Sequence, residues 1–539
     1  MFNDDANFAM LIPRPSDIRW GSGRFFFDDV LVRMNERTNP AVPYEGYVLT
    51  VNAETAELQA RDARGFLNGY TTLRQVADSN AGFVPEMTIT DAPTLARRGI
   101  IEGFYGEPWT HDERRAALQL AGRLKLNSYV YAPKDDPYHR DQWREPYPPE
   151  ALARLVDLAQ EGLRHGVDVV VALHPACSMV FSDEHEHELL AAKARQLLDA
   201  GIPDVALLFD DVPPRTVHAR DKEAFGEGGG PLGTAHAMTV RRFAAALEGR
   251  RASDDLFVVA MDYAGTHTND YRAAFVAGLP DEARVWWTGS DIVVGEITRE
   301  DIDAAAEVFG DRLLLWDNFP VNDFDRGRAF LGPLIGRTRE VHGSALRGAW
   351  TNPMVEYSPG GFGIASFADW AWNSRDYVPA RSARAARVLI AGAQASELEP
   401  LLATLSSWPP SASMETDLAT LARRTKDGSV PARERLRARL REWVALENVS
   451  VDEEPARSLQ PWLHAAVDMA KAGLAALDLD EGTATAVEVA AALERAEAHS
   501  AKVGVDVIPE FVRATADSLL GEGVLAGKAG EKGAGTRSR

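Results

Sequence analysis

The sequence predicts an α/β protein: a (β/α)8 TIM barrel that carries the functional site, with a small N-terminal α+β domain before it and a C-terminal helical bundle after it. Two observations carry this prediction. Eight short apolar runs alternate with amphipathic helical stretches over about 260 residues, which is the size of one such barrel. Each run begins apolar and ends in polar or aromatic residues, and in this fold the C-terminal strand ends carry the site.

Residues 1–95 are read as the N-terminal domain. FFFDDVLVRM and YVLTVNA have strand character, AELQARDARGFLNGYTTLRQVAD has a helical apolar period, and FVPEMTITDAP is a returning strand. Asp91-Ala92-Pro93 closes the domain, since proline cannot continue a ladder. Residues 96–375 hold the barrel runs GIIEGFYG, LNSYVYAPK, VDVVVALHP, DVALLFDD, DLFVVAMDY, RVWWTG, RLLLWDNFP and RGAWTNP. Residues 376–520 turn rich in Ala, Leu, Arg and Glu without strand signals, as a helical domain does, with a break at Trp408-Pro409-Pro410. The Gly- and charge-rich tail, 521–539, is expected to be disordered.

Composition narrows the function. The chain has 58 Lys and Arg against 80 Asp and Glu, a net charge of -22 that disfavours nucleic acid as a partner. Cys177 is the only cysteine, so no intramolecular disulfide forms. No apolar run approaches the roughly 18 to 20 residues of a membrane span, and the first residues lack a basic then apolar leader. The expectation is a soluble, cytoplasmic protein that engages no membrane; a leader removed before Met1 would leave the same picture.

The polar strand ends are Tyr105, Lys134, Asp210-Asp211, Tyr263, Thr288, Asn318 and Asn352. An isolated Asp-Asp is ordinarily a solvated turn or a helix cap. Here it follows VALLF and precedes Pro213-Pro214, on the fourth barrel strand. Successive strand residues point to opposite faces, so both carboxylates reach one ligand only where the strand ends and the chain turns. Neighbouring carboxylates titrate apart, and a neutral donor beside a charged partner suits glycoside hydrolysis.

Trp287, Trp316 and Trp350, with Tyr105 and Tyr263, offer either aromatic walls for a sugar's apolar C–H faces or ordinary core packing. Asn318 and Asp323, in WDNFPVND, offer hydrogen bonds to hydroxyls, and Lys134 is placed to donate to a substrate oxygen. DEHEHE (183–188) lacks the HExxH spacing and opens a helix, where acidic residues are favoured, so no metal site is expected. GEGGGPLG (226–233) has no Lys-Ser/Thr after it and is read as a mobile loop rather than a phosphate loop. Cys177 is read as a small buried residue.

The motifs RRGIIEGFYGEPWT, LNSYVYAPKDDPYHRDQWREPYP, VALLFDDV, VWWTG, LLLWDNFPVNDF and WTNPM resemble glycoside hydrolase family 84 over about residues 95–375. That resemblance implies a retaining exo-β-N-acetylglucosaminidase whose substrate supplies its own nucleophile, through an oxazoline, with no metal or cofactor. It implies that Asp211 is the proton shuttle and that Asp210 holds the acetamido N–H. Tyr263 would assist the acetamido oxygen and Trp316 would wall its pocket. Gly103, Lys134, Asn318, Asp323 and Asn352 would bind the sugar, with Phe104, Tyr105 and Thr288 as pocket neighbours. The expected partner is an N-acetylglucosaminyl glycoconjugate, O-GlcNAc on proteins included.

Two strand ends depart from the family pattern. The fifth ends AMDY in place of a Pro-Thr-Glu-Tyr type, and the third ends LHPACS in place of a Ser-Pro-Gly type, near the expected aglycone. A hyaluronidase-like or chitooligosaccharide-cleaving hydrolase on the same barrel is the near alternative. A carbohydrate-binding protein without turnover is the distant one, and the intact Asp210-Asp211 pair argues against it.

Overall fold

The computed structural model describes residues 10–412 and 416–521; the tail expected to be disordered lies, but for Gly521, outside them. At the N-terminus five strands form one sheet: β1 (Asp17–Phe26), β2 (Met34–Thr38), β3 (Tyr47–Val51), β4 (Ala56–Ala60) and β5 (Phe83–Asp91). Their order is β1-β5-β3-β4-β2, with β2 and β4 parallel and the other pairs antiparallel. In β3 and β4 alternate residues are buried, and the helix Ala63–Ser79 covers that face. Asp62 caps the helix by accepting from the Gly65 N–H at 2.9 Å.

Two expectations fail here. Residues 27–32, read as strand, form the short helix Phe27–Val32, with Asp28 and Asp29 in its first turn where the helix dipole favours acid. AELQA, read as the start of a helix, is β4: Ala56, Leu58 and Ala60 are buried at a spacing of two, between β2 and β3.

All eight barrel runs are strands, and all are parallel: β6 (Arg97–Glu102), β7 (Ser128–Tyr131), β8 (Asp168–Leu173), β9 (Asp204–Leu208), β10 (Leu256–Val259), β11 (Ala283–Trp287), β12 (Leu313–Asp317) and β13 (Gly348–Thr351). They close into a barrel, β13 pairing with β6. The interior is filled by alternate residues of successive strands, among them Ile101, Val130, Val170, Leu208 and Phe257.

A buried polar network ties the N-terminal sheet to the barrel. Lys125 Nζ, fully buried, donates to Asp91 Oδ2 and to Tyr47 Oη, each at 3.1 Å, and Trp372 Nε1 donates to the same Asp91 oxygen at 2.9 Å. Burial lowers the Lys125 pKa, and the Asp91 carboxylate opposes that fall.

The chain divides into two compact units. One runs to Phe324 and takes in Pro333–Leu389; the other joins Asp325–Gly332 to the chain from Ile390 on. The segment Asp325–Gly332, read from sequence as part of the barrel, therefore belongs with the helices. Gly327 O accepts from Trp462 Nε1 at 2.8 Å, and Lys502 Nζ meets Asp325 Oδ2 at 2.7 Å. The helices Val430–Ala445, Ala456–Asp480 and Ile508–Leu520 bury Leu440, Trp443, Leu463, Met469 and Phe511. Among the described residues no helix is long and apolar enough to cross a membrane.

Candidate active site

Strand β9 is wholly buried, and its last ladder bond runs from Phe209 N to Val259 O at 3.0 Å. The chain then turns: Asp211 has φ +53°, in the left-handed region, which Asp tolerates better than most residues. That turn undoes the strand's alternation. Both carboxylates line one cavity of about 300 Å3 at the C-terminal mouth of the barrel.

The two carboxylates sit in different surroundings. Asp210 is 6% exposed, and its Oδ2 accepts from the buried Lys134 Nζ at 2.6 Å. Burial alone would raise its pKa, but the Lys134 ammonium beside it holds the carboxyl well below the usual carboxylate range. Asp210 Oδ1 is buried and accepts no hydrogen bond. His174 Nε2 lies 3.4 Å from that oxygen but donates to the Asp210 backbone oxygen, at 2.7 Å.

Asp211 is more open. Its Oδ2 accepts from Tyr105 Oη at 2.6 Å and its Oδ1 from Tyr263 Oη at 2.9 Å, while Lys134 Nζ is 4.0 Å away. Burial and then the Asp211 carboxylate raise both tyrosine pKa values above the usual phenol range, so both hydroxyls stay protonated donors.

Aromatic walls and amide rims complete the cavity. Trp316 Nε1 and Asn352 Nδ2 both donate to Asn318 Oδ1, at 2.9 and 2.8 Å, and Asn318 Nδ2 donates to Ile292 O at 2.8 Å. Asp323 Oδ2 accepts from the Tyr105 N–H at 2.8 Å, which ties the loop after β6 to the one after β12. Thr288 Oγ1 donates to Asp291 O at 3.0 Å. Gly103 lies against Trp316: a Cβ there would stand 2.4 Å from Cζ2, so only glycine admits the indole.

The structure thus brings Gly103, Tyr105, Lys134, Asp210, Asp211, Tyr263, Thr288, Trp316, Asn318, Asp323 and Asn352 to one cavity. Phe104 does not join them; it is buried with its ring 5.7 Å from Trp109. Of the three tryptophans read as possible walls only Trp316 is one. Trp287 faces out of the barrel and donates to Gly265 O, while Trp350 lies deeper in the core and donates to Ser128 Oγ at 3.0 Å. Trp286 takes the wall position instead, edge-on to both Trp316 and Trp350.

Two other expectations change. GEGGGPLG is not a loop throughout: the helix Gly229–Ala246 begins inside it, and Gly233 lets that helix press on the Tyr271 backbone. Cys177 is exposed, with Sγ 3.3 Å from Arg140 Nε and 3.7 Å from His174 Nδ1. His174, in the departing LHPACS segment, sits fully buried behind Asp210 rather than in the cavity. DEHEHE opens a helix as read, with Asp183 accepting from the His185 N–H at 3.1 Å. Among the described residues no three His, Cys, Asp or Glu side chains converge as a metal cradle requires.

Paired carboxylates in a tryptophan-walled cavity, at the C-terminal face of a (β/α)8 barrel, place the chain among the glycoside hydrolases. Residues 98–403 match the family model described as beta-N-acetylglucosaminidase, and the chain belongs to that family, glycoside hydrolase family 84. Residues 11–92 match a second model, domain 2 of glycosyl hydrolase family 20. The chain is 32% identical over 289 residues to Protein O-GlcNAcase of Rattus norvegicus, a match covering 52% of this chain and 31% of that protein. It is 31% identical over 278 residues to the Mus musculus protein, covering 50% and 29%. The chain therefore spans about a third of the length of these relatives. A mutant of Thermobaculum terrenum O-GlcNAc hydrolase superposes with TM-score 0.72 at 26% identity, over 79% of this chain and 95% of that one. CpGH84B shares the fold, with TM-score 0.82 at 23% identity over 94% and 99%.

Proposed function

We propose that this protein is a retaining exo-β-N-acetylglucosaminidase that removes terminal β-linked N-acetylglucosamine by substrate-assisted catalysis. The observation that carries the proposal is the pairing of two unlike carboxylates in one cavity: Asp210, held ionised by Lys134 at 2.6 Å, beside the more open Asp211, which accepts from two tyrosines. A carboxylate kept charged at a cavity wall is stabilised by a donor from the ligand, and an acetamido N–H is such a donor.

In the proposed reaction Asp210 orients and polarises the acetamido group, whose carbonyl oxygen attacks the anomeric carbon while the glycosidic C–O bond breaks. Asp211 donates its proton to the departing oxygen. Tyr263, which donates to Asp211 and lines the cavity, turns its hydroxyl to the acetamido oxygen. Water then opens the oxazoline, giving a proton to Asp211 and leaving the sugar with its original configuration. The tethered acetamido needs no encounter with an external nucleophile, which is where much of the acceleration arises. The likeness to O-GlcNAcases supports a substrate among N-acetylglucosaminyl glycoconjugates, modified proteins included.

The test is hydrolysis of a fluorogenic aryl β-N-acetylglucosaminide by the wild type and by Asp211→Ala. The variant should lose far more on substrates with poor leaving groups than on activated aryl ones, since only the former need protonation. Equal losses on both would remove Asp211 from the role of acid, and an inert wild type would end the proposal.

A further inference from the structure

The Asp210-Asp211 turn is held from two sides. On the cavity side are Lys134, Tyr105 and Tyr263, all of which face the space a sugar would occupy and would exchange partners as it binds. On the far side is His174, fully buried and outside the cavity lining.

Beyond Phe209 the chain leaves the β-ladder, so the buried Asp210 carbonyl needs an acceptor's partner from elsewhere. His174 Nε2 supplies it at 2.7 Å, and because it faces a carbonyl oxygen it must carry the hydrogen. The imidazole is itself fixed. Its backbone N–H donates to His139 O at 2.9 Å, its ring stands edge-on to His139, and the His139 Nδ1 donates to Ala172 O at 2.7 Å. Asp visits φ +53° more readily than most residues but still at a cost, so contacts on this turn help to hold it there. His174 holds this turn from outside the cavity lining, where substrate does not reach it.

We infer that His174 is a positioning residue for the carboxylate pair: its Nε2–H, by holding the Asp210 carbonyl, keeps the left-handed turn that aims both carboxylates into the cavity. The inference rests on the reading of that pair as the reacting groups.

Two amide variants test it, because they share polarity and differ in reach. In His174→Gln the amide nitrogen falls close to the position of Nε2, whereas in His174→Asn it falls short of the Asp210 carbonyl. On p-nitrophenyl β-N-acetylglucosaminide, His174→Gln should keep kcat within about threefold of wild type. His174→Asn should lose about tenfold or more in kcat with KM changed less than about threefold, as misplacement of reacting groups does. Equal kcat for the two variants overturns the inference, as does a loss confined to KM. Should His174→Asn fail to fold, the imidazole 15N spectrum of the wild type gives an independent reading. Nε2 must be protonated across the pH range of turnover, and a bare Nε2 overturns the inference. A wild type that does not hydrolyse the substrate defeats the reading of the pair; an active wild type with Asn and Gln alike removes His174 only.

Discussion

Asp210→Asn separates charge from shape at the centre of the site. The amide keeps an oxygen able to accept from Lys134, which now donates to Asp210 Oδ2 at 2.6 Å, so the side chain stays in place. In the proposed reaction, what disappears is the negative charge facing the acetamido nitrogen as positive charge develops there. At a hydrogen-bond distance of about 3 Å and an effective dielectric near 20, that interaction is worth about 5 kcal/mol. Lys134 already neutralises part of the carboxylate, and halving the figure leaves about 3 kcal/mol, roughly two decades in rate. Steady-state hydrolysis of an aryl β-N-acetylglucosaminide should therefore show kcat/KM down about a hundredfold. Because Asp210 is ionised well below the usual carboxylate range, the deficit should persist at pH 5 as well as at pH 8. A variant within about threefold of wild type would refute the role, and so would a deficit that vanishes at pH 5.

Two further variants probe the wall and the frame. Gly103→Ala puts a methyl where only 2.4 Å separates it from Trp316 Cζ2; an overpacking cost of about 1–3 kcal/mol should appear as a KM raised tenfold or more, with an unchanged KM refuting the contact. Asp204→Asn acts at the start of β9, where burial pushes the carboxyl up to about 7 against the pull of Arg251. An unfolded Asp titrates near 3.9, so its folded-state contribution is fully present below that pH and is lost as pH rises through about 7, a difference of at most about 4 kcal/mol. The amide variant should melt higher than wild type at pH 8 and nearly level with it at pH 4, and equal melting at pH 8 would refute this.

The barrel was legible because its strands are buried on both sides and read as continuous apolar runs, each closed by a polar end. The N-terminal sheet was less so. AELQA carries its apolar residues at a spacing of two, but only two residues separate it from a strong helical period after Asp62, and the longer pattern absorbed the shorter. Segment Asp325–Gly332 was misassigned for a different reason: its partners, Trp462 and Lys502, are more than a hundred residues away, and no local pattern encodes them.

At the site, chemistry was legible where a strand end carries it, and lost where tertiary packing decides which way a ring faces. RVWWTG names two adjacent tryptophans, and only the pairing of Trp287 with the outward Leu315 tells which of them faces the interior. The Asp-Asp pair posed the same parity problem more sharply, because neighbouring strand residues cannot share a face. The prolines that follow stop the ladder, but they do not by themselves turn both carboxylates one way. The left-handed Asp211 does that, and an L-residue holds this conformation only when neighbours hold it there. Those neighbours come from four other strand ends: Tyr105 after β6, Lys134 after β7, His174 after β8 and Tyr263 after β10. The two carboxylates of the pair share one cavity in a closed barrel that delivers these four side chains to them.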